Sequence, residues 1–202
     1  AGSHPKGEVH PLALATLETA LRAHDDGADG DVLQRLGDAY YDIRDGLGVA
    51  KTPAQYGAFP ADAYSHTPGH AGAKQPGMTG QVKEDILCRW GELGVRIEDG
   101  QIAFRPVLLR ADEVLTAPMT FSFVDVHGQS QTLDLGMGQL GFTYCQMPVV
   151  YRRAETSALR IVGADESVTE IDGDALSPEI SAEVFGRSGA YVRIEVDLQP
   201  TR

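Results

Sequence analysis

His66 and His70 stand four residues apart, a spacing that on a helix sets two imidazoles on one face for a metal ion. Pro68 and Gly69 lie between them, so no regular helix carries the pair. Asp62 is the nearest further ligand, and nothing in the sequence fixes its geometry. The two histidines are therefore read as ligand-facing or internally satisfied, with no metal and no cofactor implied. The segment around them, "AYSHTPGHAGAKQPGMTGQVKEDIL" from 63 to 87, then becomes helical. A Gly-rich turn entering a helix exposes unpaired N–H groups and the positive end of the dipole, which favours an anion or the hydroxyls of a polar ligand. Tyr64, His66, His70, Lys74, Gln75, Thr79 and Gln81 are the candidate ligand-binding side chains. The plainer reading of the same turn is a helix capped by glycine and threonine.

Three carboxylates accompany this segment: Asp62 upstream, and Glu84 and Asp85 in the first turns of the helix. Paired carboxylates do the acid and base work of glycoside cleavage, so these are the candidate catalytic residues. Early acidic residues in a helix also serve as partners of its dipole. The phosphate-binding pattern G-x-x-x-x-G-K-[ST] is absent, as is the G-x-S-x-G turn of a serine nucleophile. A Cys145 nucleophile paired with His66 or His70 is a further arrangement the residue types permit. Cys88 and Cys145 have no metal-ligand spacing and read as two buried free thiols.

The elements that must position these groups are helical first and β-rich afterwards. "PLALATLETALRAH" starts at Pro11 and carries Leu14, Leu17 and Leu21 on one stripe. "DVLQRLGDAYYDIRDGLG" has Asp31 as its expected N-cap and Leu33, Leu36, Tyr40, Ile43 and Leu47 at alternating spacings of three and four. Residues 49–78 lack periodicity and form a long loop. Connections of that length are usually functional or disordered, and Tyr56, Phe59 and Tyr64 argue against disorder. A third helix follows, with Thr79 as candidate cap and Val82, Ile86, Trp90 and Leu93 as its expected buried stripe.

From Gly94 the period becomes two. "VRIEDGQIAF" predicts a hairpin turning at Asp99-Gly100, and "MTFSFVDVHGQSQTLDL" one turning at His127-Gly128. "QLGFTYCQMPVVYRR" reads as one long strand buried on both faces, with Pro148 at a bulge or an edge. "ALRIVGADESVTEIDG" predicts a third hairpin. "SPEISAEVFGR" predicts a short helix capped by Ser177, and "AYVRIEVDL" a closing strand. The fold class is α+β: a helical hairpin plus a third helix in 1–93, then an antiparallel β-sandwich in 94–202.

The chain has 202 residues and a formal charge of −12, with 42% hydrophobic and 23% charged residues. That length buries a sizeable core, and that charge argues against nucleic acid and anionic lipid as partners. Residues 51–110 hold seven basic and six acidic side chains, the one stretch that is not acidic, and the 63–87 segment lies inside it. No apolar run approaches the roughly 18–20 residues of a membrane span, and "AGSHPKGEVH" has no apolar core of a signal peptide. A soluble, cytoplasmic protein is expected.

Amphipathic helices, the loop "YGAFPADAYSHTPGHAGAKQPGMTGQVKEDIL", and then a β-sandwich form an order that resembles the C-terminal end of bacterial carbohydrate-active proteins. In these, an (α/α)-barrel of the six-hairpin glycosidase type ends in loops lining the sugar cleft, with a β domain beside it. The resemblance covers the whole chain. It implies a glycoside hydrolase or phosphorylase-like protein of which this is the C-terminal portion. It also implies a saccharide or sugar phosphate near Tyr64, His66, His70, Gln75 and the turn before Val82. Three helices do not close a twelve-helix barrel, so the remainder of a barrel or a second copy is the implied partner. The alternative from a different class is a non-catalytic module that binds saccharide or protein.

Overall fold

The computed structural model describes residues 9–47 and 79–198, with side chains from 13–43 and 86–198. The chain is α+β, helices first and strands after, as its periodicities predict. It divides into two compact units, 1–93 and 94–202.

In the first unit, α1 (Val9–Asp25) and α2 (Gly30–Leu47) are joined by a tight turn, and α3 (Thr79–Glu92) packs on α1. The buried line of α1 is Ala13, Leu17 and Ala20, so small residues bring the helices close, while Leu14 and Leu21 are only half-buried. Asp29, rather than Asp31, caps α2: its Oδ1 accepts from the Val32 amide at 2.9 Å. On α3 the buried residues among those described are Cys88, Gly91 and Glu92, and Leu93 just after it is buried as expected, whereas Ile86 and Trp90 remain 45% and 40% exposed. The apolar stripe expected through Ile86 and Trp90 is therefore displaced around the helix. Gly91 explains the shift, because it lets Leu17 of α1 approach to where a Cβ would stand 2.5 Å from its Cδ2. That rotation buries Glu92, and its donors among the described residues include the Tyr40 hydroxyl at 2.6 Å and Arg89 Nη1 at 2.9 Å. A buried carboxylate is tolerable only with such partners.

The second unit opens with the hairpin β1 (Val95–Glu98) and β2 (Gln101–Phe104). Asp99 and Gly100 form its two-residue turn, both at positive φ, as expected. A second hairpin pairs β3 (Met119–Val124) with β4 (Ser130–Leu135). The long strand expected over 139–153 is in fact a hairpin, β5 (Gln139–Tyr144) and β6 (Met147–Arg153). Cys145 and Gln146 take φ of 50° and 63° and turn the chain between them. Pro148 faces Thr143 in this ladder, while pairing on β6's other side begins only at Val149, so its missing N–H interrupts no bond there. β7 (Ala158–Gly163) and β8 (Val168–Ile171) form the third hairpin. Ser177 caps α4 (Pro178–Gly186), and β9 (Tyr191–Leu198) closes the chain.

Five strands make one sheet in the order β5-β6-β9-β7-β8. The sequence leads to an antiparallel arrangement, but β9 runs parallel to β6 and antiparallel to β7. The reason is topological. β6 and β7 run in opposite directions with one strand's width between them, and a strand filling that slot must be parallel to one neighbour. One face of the sheet is apolar, with Val149, Tyr151, Leu159, Ile161, Ile194 and Val196 all buried. Phe104 of β2 meets Tyr151 edge-on at 6.4 Å, joining the first hairpin to this face. Ser181 of α4 accepts from the Ile102 amide at 3.0 Å, so helix and hairpin are tied together.

The buried Tyr40–Glu92 contact yields a stability prediction. Tyr40→Phe removes the 2.6 Å hydroxyl bond to buried Glu92 Oε1 and is expected to cost about 1–3 kcal/mol. Urea unfolding followed by far-UV ellipticity measures it, and an unchanged midpoint would contradict the assignment.

Candidate ligand-binding site

The other face of the five-stranded sheet carries Arg152, Arg160, Arg193, Glu195 and Asp197 beside buried Val150 and Val162, and the β3–β4 hairpin lies against part of it. Gly141 of β5 makes this approach possible: a Cβ there would stand 2.7 Å from Leu135 Cδ1 and 3.2 Å from Phe121 Cδ1. Phe121 and Phe123 stack at 5.5 Å on the inward face of the hairpin, with Leu133 half-buried and Leu135 buried beside them. Beyond this contact the hairpin leaves a cavity of about 300 Å³. Its apolar lining includes Phe123, Leu133, Met147 and Pro148. Its polar lining includes His127, Gln131, Thr132, Gln146, Tyr191 and Arg193.

A five-residue loop would normally be a soft rim. Here Asp125 stiffens it, since its Oδ1 accepts from the backbone amides of His127 and Gln129 at 2.9 and 2.8 Å, and its Oδ2 from Gln131 Nε2 at 2.8 Å. These bonds, that of Gln129 first and Gln131 next, hold the Asp125 carboxyl below the usual aspartate range. Gln146 Nε2 donates to the Asp125 carbonyl at 2.9 Å, tying the rim to the β5–β6 turn. Gly189 sits beneath the His127 ring: a Cβ would lie 2.9 Å from Nε2.

The floor continues into an ion-pair network. Arg152 bonds Asp197 Oδ1 at 2.9 Å and Glu195 Oε2 at 2.8 Å. Arg160 bonds Asp197 Oδ2, and Arg193 Nε bonds Glu195 Oε1 at 2.8 Å. Glu195 and Asp197 side chains are only 15% and 16% exposed. Burial alone would raise the Asp197 carboxyl, but the Arg160 hydrogen bond and the nearby Arg152 charge outweigh it and hold it down.

Among the described residues the cavity holds one lining carboxylate, Asp125, already engaged by three N–H donors. Glycoside cleavage typically uses two carboxyl groups flanking the scissile bond. Cys145 is half-exposed in its turn, not buried as expected. Burial still pushes its thiol up, against an activated nucleophile, although Arg187 pulls in the other direction. No group of three His, Cys, Asp or Glu side chains converges as for a metal ion among the described residues. No helix among them is long and apolar enough to cross a membrane.

The sequence points to a different place. Asp62, Tyr64, His66, His70, Lys74 and Gln75 lie outside the described residues. Thr79, Gln81, Glu84 and Asp85 fall in the opening turns of α3, with their side chains outside the described residues. The cavity instead gathers 123–133, 146–148 and 189–193, three segments distant in sequence. Its legible signals were the "DVHGQ" loop and an arginine in the alternating "YVRIEVDL" strand. No protein-family model matches this chain, and no curated protein matches it.

The Asp125 bonds give a pH prediction. A depressed folded value means the loop's stabilisation is present above the unfolded aspartate value of about 3.9. It is lost as pH falls through the folded value. The His127 and Gln129 amide resonances should titrate together with a midpoint below that of a free aspartate. A midpoint at or above it would show that these amides do not hold the carboxylate.

Proposed function

We propose that residues 94–202 form a non-catalytic saccharide-binding module whose site is the cavity between the β3–β4 hairpin and the sheet. The observation that carries this reading is the composition of the cavity. Phe123, Leu133, Met147 and Pro148 supply an apolar floor, and Gln131, Thr132, Gln146 and Arg193 supply directional polar groups at its edges. A sugar ring presents the same duality, with apolar C–H faces and a rim of hydroxyls. A preformed pocket with few convergent polar groups is the usual form of a small-ligand site. The resemblance to the C-terminal part of a glycoside hydrolase or phosphorylase-like protein points to the same ligand class. On that resemblance catalysis would fall to Asp62, Glu84 and Asp85.

Both readings are separated by one set of assays on the full chain. Calorimetric titration with a panel of oligosaccharides should show binding without product formation, and Phe123→Ala should weaken it by roughly tenfold or less, the scale of one aromatic contact. Product release that disappears in Asp62→Asn, Glu84→Gln or Asp85→Asn would replace the binding module with a hydrolase. Absence of binding across the panel would remove the saccharide reading.

A further inference from the structure

We infer that this cavity selects an acidic sugar, a hexuronic acid, and that Arg193 is the residue that recognises its carboxylate. The inference rests on the saccharide reading of the same cavity and adds the ligand's charge to it.

It begins with the alternation of β9. Arg193, Glu195 and Asp197 share one face of the sheet, while Ile194 and Val196 are buried on the other. On that face three guanidinium groups share two carboxylates, and every carboxylate oxygen is taken. Asp197 accepts from Arg152 on Oδ1 and from Arg160 on Oδ2. Glu195 accepts from Arg152 on Oε2 and from Arg193 on Oε1. Arg152 and Arg160 each reach both acids. Arg193 differs, because it contacts Glu195 alone and through Nε alone. Among the described residues its Nη1 and Nη2 meet no hydrogen-bonding partner. Its side chain is 31% exposed and lines the cavity.

Glu195 thus holds the guanidinium through Nε and leaves the two Nη groups, with their parallel N–H bonds, for a ligand in the cavity that Arg193 lines. That end matches a planar carboxylate, which takes both donors at once, whereas a hydroxyl takes one. The close network also carries one positive charge more than its carboxylates balance. Two other acids bear on that surplus. Glu170 faces Arg160 across the strands and is exposed, and Asp125 lines the cavity with its oxygens turned into its own loop. Neither contacts Arg193. A neutral sugar would leave the paired donors of Arg193 half-used, and a uronate fills them.

The test uses the full chain with wild-type sequence first, so that it does not depend on a variant folding. Galacturonate oligomers, their methyl esters, the matching neutral galactose oligomers, 6-sulfated galactose oligomers and plain acetate are titrated. Affinity is read by calorimetry, and the site by the amide resonances of Thr132, Gly189 and Tyr191. The free uronate should bind roughly tenfold or more tightly than its methyl ester and the neutral oligomer. It should also outbind the sulfate ester, and Arg193→Gln should bring the uronate down to the neutral affinity. Equal binding of uronate, ester and neutral sugar, with the three resonances shifting, would overturn the inference and leave the saccharide reading intact. A sulfate ester binding as tightly as the uronate would replace carboxylate recognition with general anion binding. If acetate alone shifts the resonances and no sugar does, or if nothing shifts them, both readings fall.

Discussion

One strand carries two incompatible environments, and the second unit is arranged around keeping them apart. β9 is the middle strand of the five, and its side chains alternate between a dry face and a charged one. Ile194 and Val196 are buried against neighbours on β6 and β7, where apolar area is removed from water on both sides. Glu195 and Asp197 project the opposite way, only 15% and 16% exposed, and would be costly there without cations. Arg152 and Arg160 come from the two flanking strands at the registers that face them. A slip of one residue in either ladder would put charge into the core and leucine or isoleucine among arginines. Register, the parallel insertion of β9 and the ion pairs are thus one constraint seen at three levels.

The cavity follows from how the polar face is covered. The strands of the β3–β4 hairpin approach it where Gly141 removes a side chain and its loop rests near Gly189, with a space left between. The hairpin's rim is stiffened by Asp125 and anchored by Gln146, so that little ordering need accompany ligand entry. Preorganisation of this kind lowers the entropic cost of binding. The function proposed for the module therefore depends on the same alternation that builds its core. The odd arginine of the charged face, Arg193, is the one that stands at the cavity.

Much of this architecture was legible in the residues, and the failures have physical causes. Asp99-Gly100 and Ser177-Pro178 announce themselves because a two-residue hairpin and a helix start need those residue types. The Cys145-Gln146 turn does not, since neither residue favours positive φ and the flanks are continuously apolar. Period alone cannot find a turn that tertiary packing imposes. On α3 the stripe through Ile86 and Trp90 is a sound helical pattern. Yet the close approach of Leu17 to Gly91 sets the helix rotation and buries Glu92. The cavity was invisible for a different reason: a loop, a turn and a strand distant in sequence are joined only by the sheet order. The histidines and carboxylates of 62–85 have side chains outside the described residues.

In the proposed complex Arg193 offers its two Nη groups to a sugar carboxylate in the cavity under the β3–β4 hairpin. A crystal structure of the full chain with a short galacturonate oligomer tests it most directly. A uronate is expected in the cavity, its carboxylate oxygens about 2.7–2.9 Å from Nη1 and Nη2 of Arg193. A sugar bound elsewhere on the chain, or one in the cavity with its carboxylate turned to solvent, would contradict it.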